Sequence, residues 1–304
     1  MWRRVAVAVV AVVLVAGGAC GREAGGAGQG DGKLRVVASF YPLAEAARRV
    51  GGDLVEVTNL TGAGVEPHDV ELSPDQVDQL EDADLVLYLG GGFQPAVEDV
   101  AERRDGSTVD LLPSGIGDDG HGHEDGGEEH ADVHFWLDPR LYAEAVDRIA
   151  DALGEVDEGE AGAFAENARA FRDELLALDA EAEQRLGTCA RKHVVVTHDA
   201  FGYLTDRYDL EQQPIAGLSP EAEPNPARLA EVSDLIRREG VTTVFYERLV
   251  PASVADTIAR ETGAKTDVLD PLEGLTRAQE EAGATYVSVM RENVDALARA
   301  LDCR

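Results

Sequence analysis

The feature that most constrains the fold is an alternation of short apolar runs with helical segments that occurs twice along the chain. In the first half, runs rich in Val and Leu occupy residues 34–39, 54–60, 84–90 and 108–112. In the second half, similar runs occupy residues 192–198, 210–217, 241–247 and 264–270. Strands that alternate with helices predict parallel β-α units. The sequence therefore predicts an α/β protein with two (β/α)4-type lobes, each built on a parallel sheet.

The segment between the two halves predicts one long helix. Residues 159–187 contain no proline, and one apolar stripe recurs at helical spacing: Phe164, Ala168, Phe171, Leu175, Leu178 and Ala182. At ~1.5 Å per residue, a helix of about 25 residues spans roughly 40 Å. We therefore expect a rigid linking helix whose stripe packs in the core. The predicted organisation is an N-terminal lobe over 34–156, a linking helix over 157–188 and a C-terminal lobe over 189–304.

The N-terminus has the form of an export signal. "MWRR" is basic, the following apolar run is too short to span a bilayer comfortably, and "GGAC" places small residues before Cys20. This arrangement predicts a signal peptide over residues 1–19, and Cys20 resembles the lipidated residue of a lipoprotein. Secretion with an unmodified Cys20 is the alternative. Residues 20–33 predict a Gly-rich tether, so we expect an extracytoplasmic protein that is lipid-anchored to the outer face of the cell membrane.

Export also bears on the two remaining cysteines, Cys189 and Cys303. An oxidising compartment permits a disulfide between them, whereas two free thiols are the alternative. Neither residue belongs to a CxxC pair, which argues against a thiol metal site. We expect the disulfide, which would join the end of the chain to the start of the second lobe.

The charge of the chain narrows the class of partner. The sequence has 59 acidic residues and 27 Lys and Arg residues, which gives a formal net charge of −32. Phosphate binding requires a basic face, so we expect no nucleic-acid partner. Acidity of this size enriches cations near the surface, but it serves solubility equally well.

Four potential metal ligands fall at or beyond the ends of predicted strands: His68, His134, His198 and Asp270. In open parallel sheets, ligands gather at the carboxyl ends of the strands. Three imidazoles and one carboxylate that converge between two lobes would suit Zn²⁺, which binds these groups tetrahedrally. Structural explanations remain open for the single residues. His68 could cap a helix, His198 could be a hydrogen-bonded core histidine, and Asp270 is a good turn residue.

Five segments resemble the zinc and manganese substrate-binding lipoproteins of bacterial ABC importers. In chain order they are "GVEPHDVELSP", "HFWLDP", "VVVTHDAFGYLTDRYDL", "GLSPEAEPNP" and "ETGAKTDVLDPLEGL". The resemblance extends from about Val36 to the C-terminus. It implies two α/β lobes joined by a rigid helix, with a metal site in the cleft between them. Carried over motif by motif, it implies ligands at His68, His134, His198 and Asp270.

The resemblance also implies a cargo and partners. Relatives similar to manganese carriers usually have a glutamate where this chain has His198, and a third imidazole favours Zn²⁺ over harder cations. The implied protein is a non-enzymatic monomer that captures Zn²⁺ and delivers it to a membrane permease with a cytoplasmic ATPase. Binding of Mn²⁺ or of several divalent metals is the alternative within the family. A secreted zinc hydrolase and a surface adhesin are alternatives of other classes, although the sequence contains neither HExxH nor GxSxG.

Other polar residues are candidates for secondary roles. Glu66, Asp199 and Glu247 are expected beside the metal, as hydrogen-bond partners of ligands or as alternate ligands. A Gly- and acid-rich loop over 115–133 contains the remaining candidates, His121, His123 and His130. In zinc-type relatives a His-rich loop occupies this place, which implies a metal-capture role. A solvated spacer is the alternative.

Overall fold

A computed structural model describes residues 32–68, 70–113, 132–220 and 224–304. The predicted signal peptide, the predicted lipidation site Cys20 and the three histidines of the predicted capture loop lie outside these ranges. Residues Lys33–Arg304 form one compact unit. No helix within the described ranges is long and apolar enough to cross a membrane.

The first half of this unit contains a parallel sheet of four strands in the order β2-β1-β3-β4. The strands are β1 (Leu34–Ala38), β2 (Val55–Asn59), β3 (Leu85–Tyr88) and β4 (Ser107–Asp110). The helices are α1 (Tyr41–Gly51), α2 (Pro74–Asp82), α3 (Pro95–Arg103) and α4 (Pro139–Val156), with a short 3-10 helix at Phe135–Leu137. Each of these four α-helices has proline in its first turn. Backbone N–H groups in the first turn have no acceptor within the helix, so a proline there costs no hydrogen bond. All four predicted strands are confirmed.

The long predicted helix is confirmed as α5 (Ala161–Leu186). Every residue of its predicted apolar stripe is buried. The helix packs against α1 and α4 from the first half, and it also packs against the C-terminal helix of the chain. One continuous hydrophobic core therefore extends through both halves. The boundaries predicted for two separate lobes stay predictions, because the described unit is continuous.

The second half repeats the first, with a parallel sheet in the order β6-β5-β7-β8. The strands are β5 (His193–Val196), β6 (Glu211–Pro214), β7 (Thr243–Tyr246) and β8 (Lys265–Val268). The helices are α6 (Gly202–Arg207), α7 (Pro226–Glu239), α8 (Ser253–Thr262), α9 (Arg277–Glu281) and α10 (Tyr286–Leu301). The strands again match the prediction, and the architecture is the expected α/β fold with two four-stranded parallel sheets.

The last two helices, α9 and α10, are separated by a break in the backbone. Gly283 adopts a left-handed backbone (φ 71°) after α9, and a helix does not continue through that conformation. Thr285 then starts α10 with a capping box, in which its side chain accepts from the N–H of Ser288 while the Ser288 hydroxyl accepts from the N–H of Thr285.

A disulfide joins the start of the second half to the end of the chain. Cys189, just after α5, and Cys303, just after α10, form a disulfide across 114 residues of sequence. The expected pairing is therefore confirmed. The bond closes a loop that contains the whole second sheet.

Candidate metal centre

Four side chains from four different loops converge between the two sheets: His68, His134, His198 and Glu273. Each offers one ligand atom, and these atoms all lie within 4.8 Å of one another. The Nε2 atoms of the three histidines lie 3.3, 3.0 and 3.4 Å, respectively, from the same Oε1 atom of Glu273. His134 and His198 are fully buried, and the side chain of His68 is only 13% exposed. Three imidazoles therefore surround one carboxylate away from bulk water.

His68 is held by the loop that follows β2. The backbone N–H of Gly64 in this loop donates to the carbonyl of Leu275 in the second half (2.8 Å). Gln94 donates from its side chain to the carbonyl of Pro67 (3.2 Å), which fixes the residue before His68. The ring of Phe93 meets the imidazole edge to face at 4.8 Å. Contacts from both halves thus hold the first histidine in place.

His134 lies at the start of the 3-10 helix. Asp132 accepts from the backbone N–H of His134 (3.0 Å), and the same Oδ1 lies 2.7 Å from Nδ1 of the ring. Two residues later, the indole N–H of Trp136 donates to the carbonyl of Pro271 (2.8 Å). The hydroxyl of Tyr286 donates to the carbonyl of Trp136 (2.6 Å). These bonds attach the turn that carries His134 to the loop and the helix on either side of Glu273.

His198 follows the carboxyl end of β5. Its Nδ1 lies 2.6 Å from Oε1 of Glu247, which follows the neighbouring strand β7. The hydroxyl of Thr197 donates to the same oxygen at 2.6 Å. Asp199 accepts a hydrogen bond from the side-chain amide of Gln212. Asp199, the sequence candidate for orienting His198, thus bonds to Gln212, whereas Glu247, expected to line the cleft, lies against the imidazole ring.

The carboxylate of the group differs from the sequence expectation, because the structure brings Glu273 and not Asp270 to the three histidines. Asp270 is buried, but its Oδ1 accepts from the backbone N–H of Leu272 (2.9 Å) and its Oδ2 from the side chain of Gln279 (3.0 Å). Arg248 lies 3.2 Å from the same Oδ2. Asp270 therefore has the turn role that its position before a proline also allowed.

The turn that Asp270 stabilises directs Glu273 into the cleft. Leu272 adopts a left-handed backbone (φ 58°), which reverses the chain directly before Glu273. Gly274 follows, where an added Cβ would lie 3.3 Å from the carbonyl oxygen of Val65. The close approach of these two loops explains a glycine next to the carboxylate. This glycine is a local signal in the sequence that could have favoured Glu273.

The electrostatics of the group favour a bound cation. Burial alone would raise the pKa of Glu273, but the surrounding histidines, His68 foremost, hold it well below its usual range. Burial alone would lower the pKa of His134, but hydrogen bonds to Asp132 and Glu273 raise it to about 9. The group thus combines buried negative charge with basic imidazoles, the same properties that bind a metal ion once the imidazoles lose their protons.

Glu66 lies beside this group, and its pKa is raised. Burial and the neighbouring charge of Glu273 raise the pKa of Glu66 to about 8. The hydrogen bond that Glu66 accepts from the backbone N–H of His68 acts in the opposite direction and lowers this pKa. The pKa of Glu66 is thus shifted in the opposite direction from that of Glu273. The structure places Glu66 next to the ligand group but not within the group of four.

Two atoms of the group are buried without a hydrogen-bond partner, namely Nε2 of His198 and Oε2 of Glu273. A buried polar atom that lacks a partner costs about 1–3 kcal/mol. A divalent ion coordinated by imidazole nitrogens and a carboxylate oxygen would satisfy such atoms. Three nitrogens and one oxygen form a donor set that suits tetrahedral Zn²⁺. The residues present therefore fit a zinc ion.

The chain is similar to known zinc-uptake and zinc-binding proteins. The family model described as zinc-uptake complex component A, periplasmic (ZnuA), matches residues 36–300. The zinc-binding lipoprotein AdcA of Streptococcus pneumoniae is 37% identical over 285 residues, which cover 90% of this chain and 57% of AdcA. The high-affinity zinc uptake system protein ZnuA of Bacillus subtilis is 33% identical over 97% of this chain and 96% of that protein. The chain thus spans little more than half of AdcA but almost all of the Bacillus protein.

A solved structure shows the same fold. The Zn(II)-bound ZnuA-like domain of Streptococcus pneumoniae AdcA aligns with 89% of this chain and with 100% of that domain. The TM-score is 0.76 and the sequence identity is 35%.

Proposed function

The chain belongs to the ZnuA family of zinc-uptake components, and we propose that it captures Zn²⁺ between its two sheets and delivers the ion to a membrane transporter. One observation carries the proposal. Three imidazole Nε2 atoms and a carboxylate oxygen, contributed by both halves of the chain, lie within 4.8 Å of one another in a buried position. We assign His68, His134, His198 and Glu273 as the ligands, with Glu273 in place of Asp270.

The donor set supports zinc over manganese as the cargo. Imidazole is a good ligand for Zn²⁺, whereas Mn²⁺ is better suited by carboxylate, carbonyl and water oxygens. The group supplies three nitrogens and one carboxylate. Zinc is also named in the relatives AdcA and ZnuA.

The geometry supports a carrier rather than an enzyme. A catalytic zinc site has three protein ligands and keeps one position open for water. Here four protein side chains each offer one ligand atom, enough to fill a tetrahedral shell, and two of the three histidines are fully buried. Such a site binds the ion stoichiometrically and releases it when the halves or loops move. We therefore propose that the protein catalyses no reaction.

The partners and the location follow from the same proposal. The zinc-loaded protein, as a monomer, would dock on a permease that is powered by a cytoplasmic ATPase. It would act outside the cytoplasm, attached by lipid at Cys20 to the outer face of the membrane. The disulfide between Cys189 and Cys303 is consistent with an oxidising location.

Metal competition tests the proposed function. The full-length protein is stripped with a chelator, dialysed and titrated with Zn²⁺ and with Mn²⁺ by isothermal calorimetry. We expect one Zn²⁺ per chain, reversible binding, and displacement of bound Mn²⁺ by equimolar Zn²⁺. Failure to bind Zn²⁺, or tighter binding of Mn²⁺, would overturn the proposal.

A further inference from the structure

Two of the four proposed ligands have a buried carboxylate on the far side of the imidazole ring. Asp132 lies 2.7 Å from Nδ1 of His134, and Glu247 lies 2.6 Å from Nδ1 of His198. The two carboxylates are only 5% and 2% exposed, respectively. We propose that Asp132 and Glu247 are positioning residues, each of which fixes the tautomer and the orientation of one zinc-binding histidine. This inference rests on the proposed function, because it concerns the same site.

The chemistry of imidazole explains why such a partner matters. A neutral imidazole has one N–H and one lone pair, and only the nitrogen with the lone pair binds a metal ion. A carboxylate that accepts from Nδ1–H leaves the lone pair on Nε2 and increases its basicity. In this structure Nε2 is the atom of both rings that faces Glu273. The two carboxylates therefore select the tautomer that the site requires.

Asp132 controls the ring through two bonds to one oxygen. Its Oδ1 accepts from the backbone N–H of His134 as well as from the ring, so the imidazole is fixed relative to its own main chain. The main chain of Asp132 is held in turn, because the hydroxyl of Tyr203 in α6 donates to its carbonyl (3.2 Å). A residue of the second half thereby helps to orient a ligand of the first half.

Glu247 is fixed in a similar way. Its Oε1 accepts from the Thr197 hydroxyl as well as from the ring of His198, both at 2.6 Å. The strands β5 and β7, which end just before these residues, are neighbours in the second sheet. The position of the carboxylate is therefore set by the sheet itself. Each half of the protein supplies one such buried histidine–carboxylate pair.

Removal of the carboxylate is the direct test. We expect Asp132→Ala and Glu247→Ala each to lower the affinity for Zn²⁺ by about 10–100-fold. The variants Asp132→Asn and Glu247→Gln retain a neutral oxygen that accepts from Nδ1–H, so we expect each to recover part of that loss. Affinity is measured by competition with a chromophoric chelator, and circular dichroism checks that each variant is folded.

A spectroscopic measurement separates positioning from general destabilisation. Co²⁺ in a tetrahedral site gives intense visible absorption that depends on ligand geometry. We expect Co²⁺ in Asp132→Ala and Glu247→Ala to show weaker and shifted bands, and the conservative variants to restore the wild-type spectrum. Wild-type affinity and an unchanged spectrum in both alanine variants would overturn the inference.

Asp179→Asn is the matched control, because Asp179 is an equally buried carboxylate that lies in α5 and outside the group of four. Its side chain bonds to Arg140 and Arg207. We expect its zinc affinity to stay within about 3-fold of wild type, which is about 0.65 kcal/mol. An equal loss in this control would overturn the inference, since loss of any buried carboxylate would then suffice. Absence of zinc binding by the wild type would instead overturn the proposed function.

Discussion

The Nε2 atom of His134 lies 3.0 Å from Oε1 of Glu273, although 139 residues separate the two in the chain. The indole N–H of Trp136 donates to the carbonyl of Pro271, and this hydrogen bond holds the same two segments of the chain together. A ligand of the first half thus meets a ligand of the second half in a buried position. The proposed metal site therefore depends on both halves being folded and packed together.

The first prediction separates the two carboxylates that follow β8. Glu273→Gln removes the charge but keeps the shape of the side chain, and we expect the zinc affinity to fall at least ~10-fold, about 1.4 kcal/mol. Asp270→Asn keeps a side-chain oxygen that accepts from the backbone N–H of Leu272, so we expect the turn to persist and the affinity to fall less than in Glu273→Gln. Chelator competition measures both values. The reverse order would assign Asp270 as the ligand.

The second prediction concerns the histidine ligand of the second half. His198→Ala removes one of three imidazoles, and we expect the zinc affinity to fall at least ~10-fold. His193→Ala is the control, because His193 lies at the other end of β5 beside the exposed Glu211. Calorimetry should give an unchanged affinity for the control. Equal affinities for the two variants would remove His198 from the site.

The third prediction concerns a buried carboxylate in the middle of α5. Asp179 accepts from Arg140 (2.7 Å) and from Arg207 (2.8 Å), so it joins helices of both halves to α5. Asp179→Asn leaves the two guanidinium groups without their charged partner, and we expect the free energy of unfolding to fall by about 2 kcal/mol. Urea denaturation measures this change.

The control for Asp179 is Asp99→Asn, which breaks an exposed ion pair to Arg103 within α3 (2.7 Å). Exposed pairs contribute at most about 1 kcal/mol, so this variant should unfold close to the wild type. A larger loss in the control than in Asp179→Asn would contradict the role assigned to the buried carboxylate.

The contribution of Asp179 should also depend on pH. Burial alone would raise the pKa of Asp179, but hydrogen bonds from Arg207 and Arg140 lower it below its usual value. A carboxyl with a lowered pKa in the folded state stabilises the fold above its unfolded pKa of about 3.9. That stabilisation is lost as the pH falls through the folded pKa. The difference between wild type and Asp179→Asn should therefore be constant near pH 7 and shrink below about pH 4.

The fourth prediction concerns the disulfide. Cys189 and Cys303 close a loop of 114 residues, and in the chain-entropy model a cross-link over about 100 residues stabilises a protein by about 4.7 kcal/mol. The double variant Cys189→Ala, Cys303→Ala should therefore unfold at a lower urea concentration than the wild type. A reductant should lower the midpoint of the wild type and leave the double variant unchanged. Equal midpoints for oxidised wild type and double variant would contradict the prediction.

The sequence is most informative where local pattern and burial coincide. The strands are short and apolar, and the stripe of α5 from Phe164 to Ala182 repeats at helical spacing, so periodicity predicts both sheets and the long helix. Strand ends also identify the three histidines that the structure brings together. These predictions succeed because parallel sheets collect functional loops at one edge.

The sequence is least informative where a turn decides which side chain enters the cleft. Asp270 and Glu273 share one loop, and only the backbone reversal at Leu272 determines which of them reaches the histidines. The sequence does not indicate that Asp132 is a partner of His134, because this contact depends on the orientation of the ring rather than on spacing along the chain. Such choices are tertiary, and residue patterns do not encode them locally.

Diffraction from crystals of the zinc-loaded protein, recorded at the zinc absorption edge, locates the bound ion directly. The account predicts a single anomalous peak about 2.0–2.2 Å from Nε2 of His68, His134 and His198 and from a carboxylate oxygen of Glu273. A peak bound by Asp270 in place of Glu273, or one that lies away from the three imidazoles, would contradict it.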